Sequence, residues 1–103
     1  MKANDIIKVA VAYYKDKVQS ETLNRFHSEF NELLDAEICA RREKAKITVM
    51  QIAQLRIALT QLEITYKTIQ SQVGECEAVD NYIRTINDEI RKLSDQKNKH
   101  KYE

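Results

Sequence analysis

The residues of this sequence whose types could carry chemistry are two histidines, two cysteines and two clusters of cations. His27 lies close to Glu29 and Glu32, and a helical di-metal centre is built from Glu-x-x-His pairs on facing helices. Asn24 stands three residues before His27, and Lys97 three before His100, so that motif is absent. Both histidines read as solvated surface groups, and no metal or cofactor is expected. Cys39 and Cys76 have no neighbouring base and no Cys-x-x-Cys partner to activate a thiolate. Their wide separation in sequence forms no disulfide or metal pattern. A glycine-rich phosphate loop is excluded because Gly74 is the only glycine. A basic active site in a helical bundle needs several inward Arg or Lys side chains. Arg56 is the only cation deep in the apolar sequence, so the chain reads as a non-enzyme.

The cations form two groups. Arg41, Arg42, Lys44 and Lys46 make one; Lys97, Lys99, His100 and Lys101 make the other. Converging positive charge of this kind grips phosphates, with an affinity that falls as salt rises. Against that reading, 17 Lys and Arg nearly cancel 16 Asp and Glu, so no global field attracts a polyanion. The acidic run Glu29, Glu32, Asp35 and Glu37 also offers internal partners. Polyanion or nucleic-acid contact through Lys44, Lys46, Lys97, Lys99 and Lys101 is therefore the alternative function, not the leading one.

What positions these residues is a helical framework. One Gly and no Pro exclude the frequent turns of a sheet protein. The organising stretch is Ala45 to Val73. Within it Ile52, Leu55, Leu59, Leu62, Tyr66, Ile69 and Val73 follow at steps of three and four, the rhythm of a coiled-coil seam. Met50, Ile57 and Ile64 form a second apolar line on another face, and a helix apolar on two sides is normally buried on two sides. Arg56, Glu63, Gln51, Gln54 and Gln61 make the stretch a poor membrane span, and no membrane partner is expected. The early Lys2, Asp5 and Lys8 do not fit a signal peptide, so a reducing cytoplasm is the default location.

Before the seam, Asn4 or Asp5 can cap a first helix whose stripe is Ile7, Val11, Tyr14 and Val18. The stripe loses phase at Gln19–Glu21 and resumes with Leu23, Phe26, Phe30, Leu33 and Leu34. A reversal there pairs Tyr14 with Phe26, Ala10 with Phe30 and Ile7 with Leu33; an unbroken helix is the rival. After the seam, the phase slips at Gly74, which suits a left-handed helix cap. Folding back at that point pairs Val73 with Val79, Ile69 with Ile83, Tyr66 with Ile86, Leu62 with Ile90 and Leu59 with Leu93, all in one antiparallel register. Nothing between Leu34 and Gly74 stops a helix, since residues 36–45 are mostly good helix formers.

The expected fold is therefore a single all-α domain over residues 1–103, with helices at about 4–18, 22–73 and 79–97 and a polar basic tail at 98–103. It is a long central helix with an antiparallel helical hairpin at each end, of coiled-coil or helical-bundle type. A central helix of that length would run roughly 75 Å at 1.5 Å per residue, too long to be covered by its own arms. The uncovered strip would comprise Ile38, Ile47, Val49, Met50, Ile57 and Ile64, rimmed by Arg41 and Arg42. Such a strip marks a protein interface, and a homodimer would complete the bundle. The competing architecture is a helix break near Arg41–Lys46 that closes a monomeric bundle. On this reading the chain is a non-enzymatic protein–protein interaction module: an adaptor, assembly chaperone or small inhibitor of another machine.

Overall fold

Four helices make up most of the described residues of the computed structural model, which describes the backbone of residues 3–101 and the side chains of residues 4–96. Helix α1 spans Ala3–Tyr14, α2 Ser20–Arg42, α3 Val49–Val73 and α4 Glu77–Lys101. Short turns make successive helices antiparallel. α1 packs on α2 and α4, and α3 packs on the same two, giving a ring of four within 52 × 22 × 21 Å. No helix among the described residues is long and apolar enough to cross a membrane.

The first hairpin forms as its aromatic pairing requires. α1 ends at Tyr14, four residues earlier than expected, and the chain turns through 15–18 with the amides of Lys17 and Val18 both donating to the Tyr14 carbonyl. Tyr14 then meets Phe26 edge to face with ring centroids 6.0 Å apart. Ala10 and Phe30 are both sealed from solvent, as is Leu33. In the last hairpin every residue of the expected antiparallel layers lies in the core or packs against it. Gly74 closes α3 with φ 99°, a left-handed value that favours glycine. α4 starts at Glu77 instead of 79 and continues through position 97, so the expected tail is helical backbone as far as Lys101.

The long central helix does not form: residues 43–48 break it into α2 and α3. The cause is a reciprocal capping box. The Gln51 amide donates to Thr48 Oγ1 at 3.1 Å, and the Thr48 amide donates to Gln51 Oε1 at 2.9 Å. Two amides that a continuous helix would have paired differently are thereby satisfied by side chains. Ile47 and Ile52 stand immediately before and four residues after the cap, the positions of a hydrophobic staple, and both are in the core. Folding back also lets Gln51 Nε2 donate to Glu43 at the end of α2. Thr48→Ala is expected to cost about 1 kcal/mol, lowering the melting temperature by roughly 4–8 °C. An unchanged thermal transition by circular dichroism would show that the cap is not what holds the turn.

At about 1.5 Å per residue, α1 is roughly half the length of its neighbours, so it covers one half of the bundle only. In that half, the Tyr14 hydroxyl donates to the Gly74 carbonyl at 2.9 Å. The Tyr66 hydroxyl accepts from the Cys76 amide at 2.8 Å and donates to the Cys76 carbonyl at 3.1 Å. Two tyrosines thus tie down the backbone of the α3–α4 turn, beside the Val79 and Asp80 amides that also donate to the Cys76 carbonyl. In the other half, where α2 and α4 lie across from each other beyond α1, a polar cluster takes over. Glu37, buried on α2, accepts from Arg41 on one oxygen and from the Tyr82 hydroxyl, at 3.1 Å, on the other. Tyr82 in turn stacks on Phe30, with centroids 5.0 Å apart.

Candidate protein interface

Helical geometry decides which apolar residues the bundle leaves outside. Met50, Ile57 and Ile64 each precede a seam residue (Ile52, Leu59 and Tyr66) by two positions, about 200° around the helix. When the seam is turned into the core, these three must point away from it. They are 71%, 58% and 62% exposed, and Val49, in the first turn of α3, is 72% exposed. The line from Met50 to Ile64 runs for about 21 Å along the helix. Ala53, Gln54, Thr60, Gln61 and Thr68 share this outer face, all exposed and none charged. The result is an uncharged strip with apolar knobs at heptad spacing on an otherwise amphipathic bundle.

Its two rims differ. Towards α4 lie Arg56, Glu63 and Lys67; Glu63 and Lys67 line an open groove with Arg84, Asp88 and Arg91. Towards α2 lies Glu29, whose carboxylate accepts from Thr65 Oγ1 at 2.6 and 3.0 Å. At the foot of the strip the α2–α3 turn exposes Arg42, Lys44 and Lys46 beside Val49 and Met50.

The residues expected to form one surface are thus divided. Val49, Met50, Ile57 and Ile64 remain together on α3. Ile47, expected in the strip, is only 2% exposed, because the turn at 43–48 carries it into the core. Ile38 sits nine residues from Glu29, about 900° or half a turn round α2. Since Glu29 faces α3, Ile38 faces away from it and is not part of the strip. Arg41 is engaged with Glu37 on that same far flank, so it does not rim the strip either. Arg42 stays at the basic turn with Lys44 and Lys46. The side chains of Lys97, Lys99 and Lys101, the second half of the expected polyanion contact, lie outside the described residues.

The Glu37 cluster was not anticipated, although the sequence carries its signal. Phe26, Phe30, Leu33, Glu37 and Ala40 follow at steps of four and three, so Glu37 occupies a seam position where an apolar residue belongs. A carboxylate there must find donors, and Arg41 and Tyr82 supply them. Burial, reinforced by the charge of Glu37, pushes the Tyr82 hydroxyl well above its ordinary value, so it stays a donor. Partial burial, then Glu37 again, raises the Glu89 carboxyl on α4. This cluster bridges α2 and α4 through the Tyr82–Glu37 bond, and among the described residues no buried side-chain nitrogen or oxygen lacks a hydrogen-bond partner. His27 and Cys39 are exposed, Cys76 is buried, and neither cysteine is bonded. No group of metal-ligating side chains assembles among the described residues.

No family model, curated protein or solved structure matches the chain.

Proposed function

We propose that this chain is a non-enzymatic protein-interaction module, an adaptor, assembly chaperone or small inhibitor, that works through the outer face of α3. The observation that carries the reading is the uncharged line of Met50, Ile57 and Ile64, each more than half exposed in a bundle that buries its other long apolar rows. Leaving such a line in water costs solubility and contributes nothing to the bundle's own core. A partner helix laid along it gains apolar contact at every second turn, the geometry of helix-to-helix recognition. The knobs supply affinity and the charged rims supply orientation. The setting is taken to be a reducing cytoplasm, in which Cys39 and Cys76 remain thiols.

The test is a paired capture experiment from the source cells. The wild-type chain should retain a defined partner. A chain carrying Met50→Asp, Ile57→Asp and Ile64→Asp should lose it at least tenfold while keeping its helical spectrum. Equal capture by both chains would remove the strip from the account.

A second reading, contact with a polyanion, is favoured by one observation. Arg42, Lys44 and Lys46 project from a single turn with Glu43 as their only acid, and Glu43 is engaged by Gln51. It requires retention on heparin that disappears when these three cations are neutralised.

A further inference from the structure

The chemistry of the rims selects an occupant for the strip. Thr65 is bonded to Glu29 and Gln51 to Glu43, so fourteen residues down α3 correspond to fourteen up α2. That fixes which α2 residues stand level with any point on the strip. The cations Arg42, Lys44 and Lys46 lie at the Met50 end; Glu29 and Glu32 lie level with its Ile64 end. The strip between them is free of charge. Its knobs are spaced evenly about Ile57, with Met50 one heptad below and Ile64 one heptad above.

We infer that a second copy of this chain docks antiparallel on α3, with the two-fold axis passing near Ile57. This rests on the interface proposed above and names its partner. In that arrangement Ile57 meets its own counterpart, and Met50 of each copy meets Ile64 of the other. The two-fold axis lies across the strip, so the α2 flank of one copy faces the α2 flank of the other. The basic turn, level with residues 48–52 of α3, then falls against the second copy's α2 near Glu29 and Glu32. Both ends of the seam therefore match positive charge to negative, twice over, as an isologous contact demands. A parallel pairing, with its axis along the strip, would bring the two basic turns to the same level and set each α2 flank against the other copy's α4 flank, so the turn would not meet Glu29 and Glu32.

The contact area argues for a modest affinity. A seam about 21 Å long on one helix buries well under the roughly 800 Å² per partner of a standard stable interface. The turn and α2 must add to it. Because part of that addition is charge pairing near the surface, the association weakens with salt.

Sedimentation and cross-linking test the inference. At chain concentrations of order 100 µM the protein should show concentration-dependent association, weakened about tenfold by Lys44→Glu with Lys46→Glu, and recovered when Glu32→Lys is added to that pair. In a Cys39→Ser background, Ile57→Cys should form a covalent dimer with a short bis-maleimide. Met50→Cys and Ile64→Cys should do so with each other but not alone. Self-cross-linking of Met50→Cys and of Ile64→Cys, each alone, would establish a parallel pair and overturn the orientation. A chain that remains monomeric, or that sediments with anionic vesicles instead of with itself, overturns the second copy as occupant. If Ile57→Asp still abolishes capture of another protein in that case, the interaction reading survives without self-association. If Ile57→Asp changes neither association nor capture, both fall.

Discussion

Ile47→Asp is expected to remove at least about 4 kcal/mol of stability, whereas Ile57→Asp, ten residues on, should alter it by no more than about 0.5 kcal/mol. Ile47 is 2% exposed and seals the turn between α2 and α3; Ile57 is 58% exposed. An aspartate at the first position loses a buried aliphatic side chain and sets a carboxylate in the hydrophobic core. Domains of this size have only about 5–15 kcal/mol in hand, so much of the Ile47→Asp chain should be unfolded at 37 °C. At the second position the carboxylate meets water, and the side chain it replaces is already more than half exposed. Denaturant titration followed by helical ellipticity measures both. Equal losses at the two sites would sink the division of the strip into buried and exposed residues.

Raising the pH should unfold the bundle cooperatively, with stability falling from about pH 10 onward. Tyr14, Tyr66 and Tyr82 are all buried. Burial pushes the Tyr14 hydroxyl up to about 12 and the other two higher still. The sign follows from linkage. Below pH 10 folded and unfolded chains both hold these protons, so stability does not depend on them. Above it the unfolded chain releases them while the folded one cannot, until the folded value is passed. Each tyrosine then subtracts about 1.4 kcal/mol per pH unit, and three subtract about 4 kcal/mol per unit. Two units of such loss are comparable with the whole stability of a small domain. Ellipticity at 222 nm and tyrosinate absorbance at 295 nm should therefore change together. Tyrosinate appearing in full while the helices persist would show that these hydroxyls are not held by the fold. Tyr66→Phe supplies the control. It costs stability at neutral pH, since the Cys76 amide loses its acceptor, yet it reduces the alkaline slope by about a third.

Much of the framework was legible because it is written in periodicity. Tyr14 opposite Phe26, and the placing of the rows on either side of Gly74 in or against the core, were readable because a reversal keeps long apolar rows in one phase where an unbroken helix lets them slip. The break at 43–48 was read only as the competing architecture, a break near Arg41–Lys46. Residues 36–46 favour helix, and intrinsic preferences differ by only tenths of a kcal/mol per residue, too little to separate a helix that continues from one that stops. The deciding residues were in plain view. Thr48 and Gln51 form the capping pattern, with Ile47 and Ile52 placed around it as the staple. Reading Ile47 as part of an exposed row overlooked that its neighbour could start a new helix. The exposed line on α3 survived that error, because its spacing relative to the seam does not depend on where the helix begins. Ile38 did not survive it, since its orientation follows from which flank of α2 the folded-back α3 occupies.

The hydroxyl of Tyr14 reaches a carbonyl sixty residues away in sequence. α1 touches α2, its immediate successor, but its other neighbour is α4, the last of the four to be synthesised. A nascent chain can therefore make the α2–α3 hairpin early, while the seam between α1 and α4 has to wait. Until then Phe30 has water on the side where Tyr82 will stack, and the ring of helices is a horseshoe. Speed of synthesis, and whatever shelters that aromatic lane meanwhile, thus bear on yield in a way that the finished bundle conceals.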